Sequence, residues 1–231
     1  MRARENPFAM VRLERIAFRF ESGDLDDLLR RLSQLGYRAA IVGPEGSGKT
    51  TLLEALAAQL AGQGWNLRPL RLRRDQPCPG GVIEQLLKSS DPRTLILLDG
   101  AEQLGWWRWR RLVRGARAAG GLVITTHRAG RLPTLIACRT SIPLLSGIVD
   151  ELLDAAPLAD ARRAELRAAA VTLYAQHGGN LREVLRGLYD WCAEAPGQPR
   201  RVHLPPVAAG PHRAGAARPP CDVAGCLLDS P

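Results

Sequence analysis

The sequence predicts an α/β chain, a parallel sheet with helices on both faces, followed by a small all-helical unit. Three observations predict it. Short apolar runs, Tyr37 to Val42, Thr94 to Leu98 and Leu122 to Thr126, alternate with longer helical patterns, as in strands joined by crossover helices. The stretch Gly43-Pro-Glu-Gly-Ser-Gly-Lys49-Thr50 links an apolar run to a helix former and fits G-x-x-x-x-G-K-[ST] at every fixed position. From about residue 144 the strand patterns stop and amphipathic helical patterns continue alone.

Taken in order, residues 1–20 alternate apolar and charged positions, most clearly over Arg15-Ile-Ala-Phe-Arg-Phe20, and suggest a short strand or an extended arm. Asp24 to Leu35 reads as a helix capped by Ser22 or Asp24, with Leu25, Leu28, Leu29, Leu32 and Leu35 on one face. A strand over 37–42, the glycine loop and a helix over 49–61 follow, closed by Gly62 and Gly64. Leu67 to Leu72 alternates apolar and basic residues and reads as a strand. A loop at 77–81 and a short helix at 82–89 come next. Thr94-Leu-Ile-Leu-Leu98, bounded by Pro92 and Asp99, suits a strand buried on both faces. A helix over 102–119 leads through Gly120 and Gly121 to the strand at 122–126. A short helix at 130–136 and an edge strand near 138–143 complete the alternation. Helices at 144–155, 158–176 and 180–194 form the helical unit. Beyond Pro196 the chain is rich in Pro, Gly, Ala and Arg without periodicity, which predicts a disordered tail. The expected domains are therefore 1–143, 144–195 and the tail 196–231.

Composition narrows the class. The chain has 231 residues, 45% of them hydrophobic, enough for one α/β domain with a small appendage. It holds no apolar run of about 18 residues, so no transmembrane helix is expected, and its charged N-terminus lacks an apolar signal segment. A cytoplasmic location is the expectation. The five cysteines, Cys78, Cys138, Cys192, Cys221 and Cys226, are scattered and form no C-x-x-C pair. Cys221 and Cys226 alone make a poor metal site. The net charge of +9 is carried almost wholly by arginine, since Lys49 and Lys88 are the only lysines; such a bias reflects coding composition as readily as a nucleic-acid face.

The glycine loop has a specific chemistry. Backbone N–H groups of Glu45 to Lys49 are expected to wrap a β-phosphate, aided by the positive end of the next helix. Gly43, Pro44, Glu45, Gly46, Ser47, Gly48, Lys49, Thr50 and Thr51 form the candidate nucleotide-binding set, with the Lys49 ammonium at the β- and γ-phosphates. The Thr50 hydroxyl is a candidate Mg²⁺ ligand. A strand-to-helix turn without a ligand needs neither Lys nor Thr at these places. Leu95-Ile-Leu-Leu98-Asp99 fits the apolar strand ending in an acid that holds Mg²⁺ through water, which makes Asp99 the second candidate metal residue. Glu102 is the nearest carboxylate for orienting a water; as a first-turn Glu it also suits the helix dipole. Thr125, Thr126 and His127 end the next strand within reach of a γ-phosphate.

The loop, Asp99, the Thr-Thr-His-Arg128 strand end and the trailing helices together resemble the AAA+ and STAND groups of P-loop ATPases, over roughly residues 7–194. The resemblance implies a P-loop NTPase core with a further strand between the loop strand and the acid-bearing strand, and a helical lid after it. It implies ATP and Mg²⁺ as cofactors and a sensor-1 role for the strand end, with Thr126 among the catalytic residues. Gly179-Asn-Leu-Arg182 is similar to the G-x-x-R sensor 2 motif, whose arginine contacts the γ-phosphate. Arg128, Arg131 and Arg139 are candidate arginine fingers by location. Two departures stand out. Gly100 follows Asp99 where AAA+ proteins usually carry Glu, and no winged-helix domain follows the helical unit within this sequence. The expected function is a Mg²⁺-dependent ATPase coupling nucleotide state to lid movement or partner assembly. The alternatives are a non-hydrolysing ATP-dependent switch or scaffold and a small-molecule kinase, which also uses this loop.

Trp106-Trp-Arg-Trp-Arg-Arg-Leu-Val-Arg-Gly-Ala-Arg117 is the least usual segment. At helical spacing Arg110, Arg114 and Arg117 share one face, while Trp109, Leu112, Val113 and Ala116 share another suited to a sheet. Segment 104–117 is a candidate interface for a protein partner or a second copy of the chain. Binding of nucleic acid by stacking and phosphate contacts is the other reading, and a core-packing helix with a solvated basic face is the plain one.

Overall fold

The computed structural model describes residues 5–20, 23–75, 81–88 and 90–193. Ser22, most of the loop at 77–81, Cys221, Cys226 and the tail beyond Pro196 lie outside them. Five strands form one parallel sheet: β1 (Arg38–Val42), β2 (Asn66–Arg71), β3 (Thr94–Asp99), β4 (Gly121–Thr126) and β5 (Thr134–Ala137), in the order β2-β3-β4-β1-β5. β4 therefore lies between the loop strand β1 and the acid-bearing β3, as the resemblance implies. Every residue of β4 is buried, as is β3 from Thr94 to Leu98, which accounts for their unbroken apolar runs.

Helices cover both faces. On one, α2 (Leu25–Gln34) and α3 (Lys49–Gly62) bury Leu28, Leu32, Leu52, Leu56 and Leu60 against Ala39, Ile41, Leu95 and Leu97. Asp24 caps α2 by accepting the N–H of Asp27, whose carboxylate returns the bond to the Asp24 N–H. On the other face, α4 (Val82–Lys88) and α5 (Trp106–Gly115) pack Ile83, Leu112 and the following Ala116 against Ile96, Leu98, Leu122 and Ile124. α6 (Ile142–Asp154), α7 (Asp160–Gln176) and α8 (Leu181–Ala193) build a third cluster around Leu153, Leu166, Val184 and Leu188. The short α1 (Met10–Leu13) follows Phe8, which is buried in that same cluster. The chain then runs without regular secondary structure to Phe18 and Phe20, which join the α2–α3 layer.

Three sequence-based expectations are corrected. The helix over 102–119 is broken: a 3₁₀ turn covers Ala101–Gln103, Leu104 is extended, α5 starts at Trp106 and a second 3₁₀ turn covers Ala116–Ala118. Gly105, at the N-cap of α5, allows the break. No helix forms at 130–136. Residues 134–137 are instead the edge strand β5, a few residues earlier than the strand expected near 138–143. Pro133 is the cause, because it suits a strand start on a sheet edge, and its carbonyl accepts the N–H of Ala40.

Leu56 is fully buried between α3 and the sheet. Leu56→Ala should cost about 2–5 kcal/mol of stability, read as a shifted denaturation midpoint in chemical unfolding; an unchanged midpoint would contradict this packing.

Candidate functional site

The loop between β1 and α3 opens at the carboxyl end of the sheet. The backbone N–H groups from Glu45 to Thr51 donate to no protein acceptor among the described residues, and no side chain caps α3. A cluster of unsatisfied N–H groups at a helix start is an anion site. Gly46 and Gly48 hold the loop at φ of +72° and +81°. The Pro44 carbonyl accepts from the Ser47 hydroxyl at 2.8 Å and from the Lys49 ammonium at 2.6 Å. Burial pushes the Lys49 ammonium below its ordinary range; Glu102, Cys138 and Asp99 oppose that shift, and Arg182 adds to it. An incoming anion would stabilise this cation.

Sheet register brings the second half together. β2 pairs Arg71 with Asp99, and β3 pairs with β4 so that Thr125 falls beside Asp99. The Thr125 hydroxyl, 1% exposed, donates to Asp99 Oδ1 at 2.6 Å and accepts the Gly100 N–H at 2.9 Å. Thr50 donates to Asp99 Oδ2 at 3.0 Å, and Arg71 Nε reaches the same oxygen at 3.1 Å. The other end of the Arg71 guanidinium binds Glu54 at 2.8 Å. The bond from Thr125 to Asp99 was not anticipated from the sequence, where only a polar strand end was visible. Thr126 is also buried. Its hydroxyl donates to the Arg128 carbonyl, and its own carbonyl accepts the Gly43 N–H, tying β4 to the start of the loop.

Gly100 has a steric reason. Its φ is +85°, and a Cβ there would stand 2.5 Å from the Leu72 carbonyl oxygen. Glutamate directly after Asp99 would collide with the end of β2. The 3₁₀ turn that follows carries Glu102 back toward the site instead. Glu102 Oε1 lies 3.4 Å from His127 Nε2, and Glu102 is the largest electrostatic contribution holding the Lys49 charge. Its Oε2 is buried with no hydrogen-bond partner. Arg131 faces it from the loop after β4, donates to the Leu104 carbonyl and stacks over Trp109 at 4.9 Å. Arg131 is thus turned inward, while Arg128 and Arg139 are exposed.

α8 meets the loop from the other side. Asn180 caps α8 by accepting the N–H groups of Arg182 and Glu183. Its side chain lies so close to Gly46 that a Cβ on Gly46 would overlap it. Arg182 is exposed and near enough to Lys49 for their charges to interact. Phe18 passes over Gly48, 3.2 Å from where a Cβ would be.

Hard oxygen donors of Thr50 and Asp99 side by side suit Mg²⁺, which takes one or two protein oxygens and completes its shell with phosphate and water. Sheet order, loop and acid-bearing strand define the fold of the AAA+ P-loop ATPases. Comparison with solved structures agrees. A DNA replication initiation factor superimposes with a TM-score of 0.52 at 16% identity, covering 73% of this chain and 59% of that one. The replication initiator DnaA, bound to AMPPCP and single-stranded DNA, gives 0.53 at 17% identity, covering 76% of this chain and 62% of that one. At these identities the likeness is one of fold. Zinc import ATP-binding protein ZnuC of Pseudomonas fluorescens (strain Pf0-1) is 34% identical in an alignment of 111 residues that covers 42% of this chain and 42% of that one. The chain thus spans less than two thirds of each of these proteins. No family model matches it. Among the described residues no helix is long and apolar enough to cross a membrane.

Cys138 closes the floor of the site, its carbonyl 2.6 Å from where a Cβ on Gly43 would lie. Burial pushes its thiol up from 9.0 to about 11, against the pull of the Lys49 charge. A raised folded-state value means a stabilising contribution that is complete below about pH 9 and lost as pH climbs toward about 11. Native protein at pH 8 should therefore leave Cys138 unmodified by iodoacetamide, with labelling appearing on unfolding. Peptide mapping that finds native Cys138 alkylated as fast as a free thiol would contradict the burial.

Proposed function

We propose that the chain binds ATP with Mg²⁺ and hydrolyses it, using nucleotide state to move the helical unit 144–195, as a lid over 1–143, or to drive partner assembly. The observation that carries the reading is the row of unsatisfied N–H groups from Glu45 to Thr51 ending at Lys49, Thr50 and Asp99. Those amides and Lys49 would bind the β- and γ-phosphates. Thr50 and Asp99 would hold Mg²⁺, which when bound neutralises phosphate charge. Thr125 fixes the Asp99 carboxylate by a short hydrogen bond. Glu102 would orient the attacking water and take its proton through the unpartnered Oε2, while His127 holds Oε1. Thr126 would belong to the sensing strand end, and Arg182 would meet the γ-phosphate from α8. Binding of single-stranded DNA belongs to the DnaA structure and forms no part of this reading.

A non-hydrolysing switch is the second reading. The ion pair of Arg71 with Asp99 favours it, because that guanidinium occupies the carboxylate a metal would need.

Lys49→Ala should abolish ATP binding in calorimetry while the thermal unfolding profile stays intact; wild-type affinity in that variant would refute the site. Glu102→Gln should keep ATP binding and lose about 10²–10⁴ in phosphate release measured without an acceptor. Full turnover by that variant would remove Glu102 as the base, and no turnover by the wild type would favour the switch.

A further inference from the structure

α5 carries a face that the nucleotide site does not use. Trp106 and Trp107 are 55% and 79% exposed, far more than large aromatics usually are in a folded chain. They border an open groove of about 840 Å³ between α4 and α5. Leu87 and Gly115 form its floor. A Cβ on Gly115 would stand 2.3 Å from Leu87 Cδ1, so the glycine is what lets the two helices approach. Arg110 and Arg114 form the rim, one helical turn or about 6 Å apart along the axis. Arg111 also lines the groove but is paired with Glu84 at 2.9 Å. Arg114 has no hydrogen-bond or ion-pair partner among the described residues, and Arg110 rests on the Trp106 ring at 4.6 Å.

We propose that this groove docks a protein segment of acidic and apolar character, an amphipathic helix whose carboxylates lie one turn apart. The chemistry matches on both counts. The Leu87 floor and the indoles that border it accept alkyl or aromatic side chains, and the rim carries arginines one helical turn apart, the spacing of i, i+4 carboxylates. Exposed Trp and Arg around an apolar depression are the anchors that concentrate binding energy at protein interfaces. Charge complementarity points to an acidic partner, because the face presents Arg110 and Arg114 to solvent on a chain of net charge +9. Single-stranded nucleic acid fits less well. Its bases need ring faces in series, whereas Trp106 and Trp107 meet edge-on at 81° with Arg110 over one of them.

The inference does not depend on hydrolysis, and its test needs no nucleotide. The full chain is titrated, by fluorescence anisotropy, with three labelled probes. The first is an amphipathic helical peptide of roughly five turns with Glu at i, i+4 beside a Leu/Phe stripe. The second has Gln in place of every Glu, and the third is oligothymidylate. The acidic peptide should bind saturably. The Gln peptide, and the acidic peptide with Trp107→Ala or Arg110→Glu/Arg114→Glu protein, should bind about tenfold more weakly or worse. Unchanged melting temperatures of those variants would show that the fold is intact, and Lys49→Ala should bind like wild type. Failure of the acidic peptide to bind, equal binding of the Gln peptide, or undiminished binding by folded groove variants would each overturn the proposal. Tighter binding of oligothymidylate, lost in those same variants, would reassign the face to nucleic acid.

Discussion

The carboxylate of Asp99 is the point on which the strand ends converge. A helix and two strands each send it a donor: Thr50 from α3, Thr125 from β4 and Arg71 from β2. A largely buried carboxylate is costly unless its oxygens are hydrogen-bonded, so the fold is stable only when these elements stand in one register. Parallel pairing supplies that register. β2 sets Arg71 opposite Asp99, and β4 sets Thr125 beside it. A one-residue slip in either strand would turn these side chains to the opposite face and strand the acid.

The same convergence accounts for the departure at Gly100. Once the Leu72 carbonyl approaches from β2, nothing larger than glycine fits after Asp99, and the positive φ there favours glycine again. The nearest carboxylate after Asp99 is that of Glu102, two residues beyond Gly100 on a 3₁₀ turn. Arg131 supports that turn by bonding the Leu104 carbonyl and stacking over Trp109. The Trp/Arg helix and Glu102 thereby share one support, although the exposed groove lies on the outer side of α5.

Much of this was legible in the sequence, and the gaps have causes. The phosphate loop could be read because its chemistry needs particular residue types at fixed spacing between a strand and a helix. β3 and β4 could be read because their centres, Leu95 to Leu98 and Leu122 to Ile124, are buried on both faces and carry only apolar residues. The inward face of α5, with Trp109, Leu112, Val113 and Ala116, followed from helical period alone. What escaped reading depended on neighbours distant in the chain. Thr125 looks like any polar strand end until β3 is set alongside it. Gly100 looks like a lost glutamate until Leu72 is seen above it. β5 was missed because its run, Thr134 to Ala137, is short and takes its strand form from edge pairing to β1, with Pro133 before it as the one local signal against a helix.

The contact between α8 and the loop bears on how a ligand could act at a distance. A ligand shifts a conformational equilibrium only through interactions that differ between the two states. Here the difference has a physical source. Without an anion, Lys49 is desolvated, and the nearby charge of Arg182 makes its ammonium harder to keep. Negative charge between the two cations would turn their mutual repulsion into shared attraction. The Asn180 side chain packs on Gly46, and Asn180 also caps α8, so a change in the loop would be felt at the first turn of that helix. α8 is not a lone element: Leu181, Val184 and Leu188 bind it into the cluster shared with α6 and α7. A cluster packed in this way would, on the proposed reading, carry a small displacement as movement of a unit rather than of one side chain. On the proposed reading, charge at Lys49 and Arg182 is the input and the position of the α6–α8 cluster is the output.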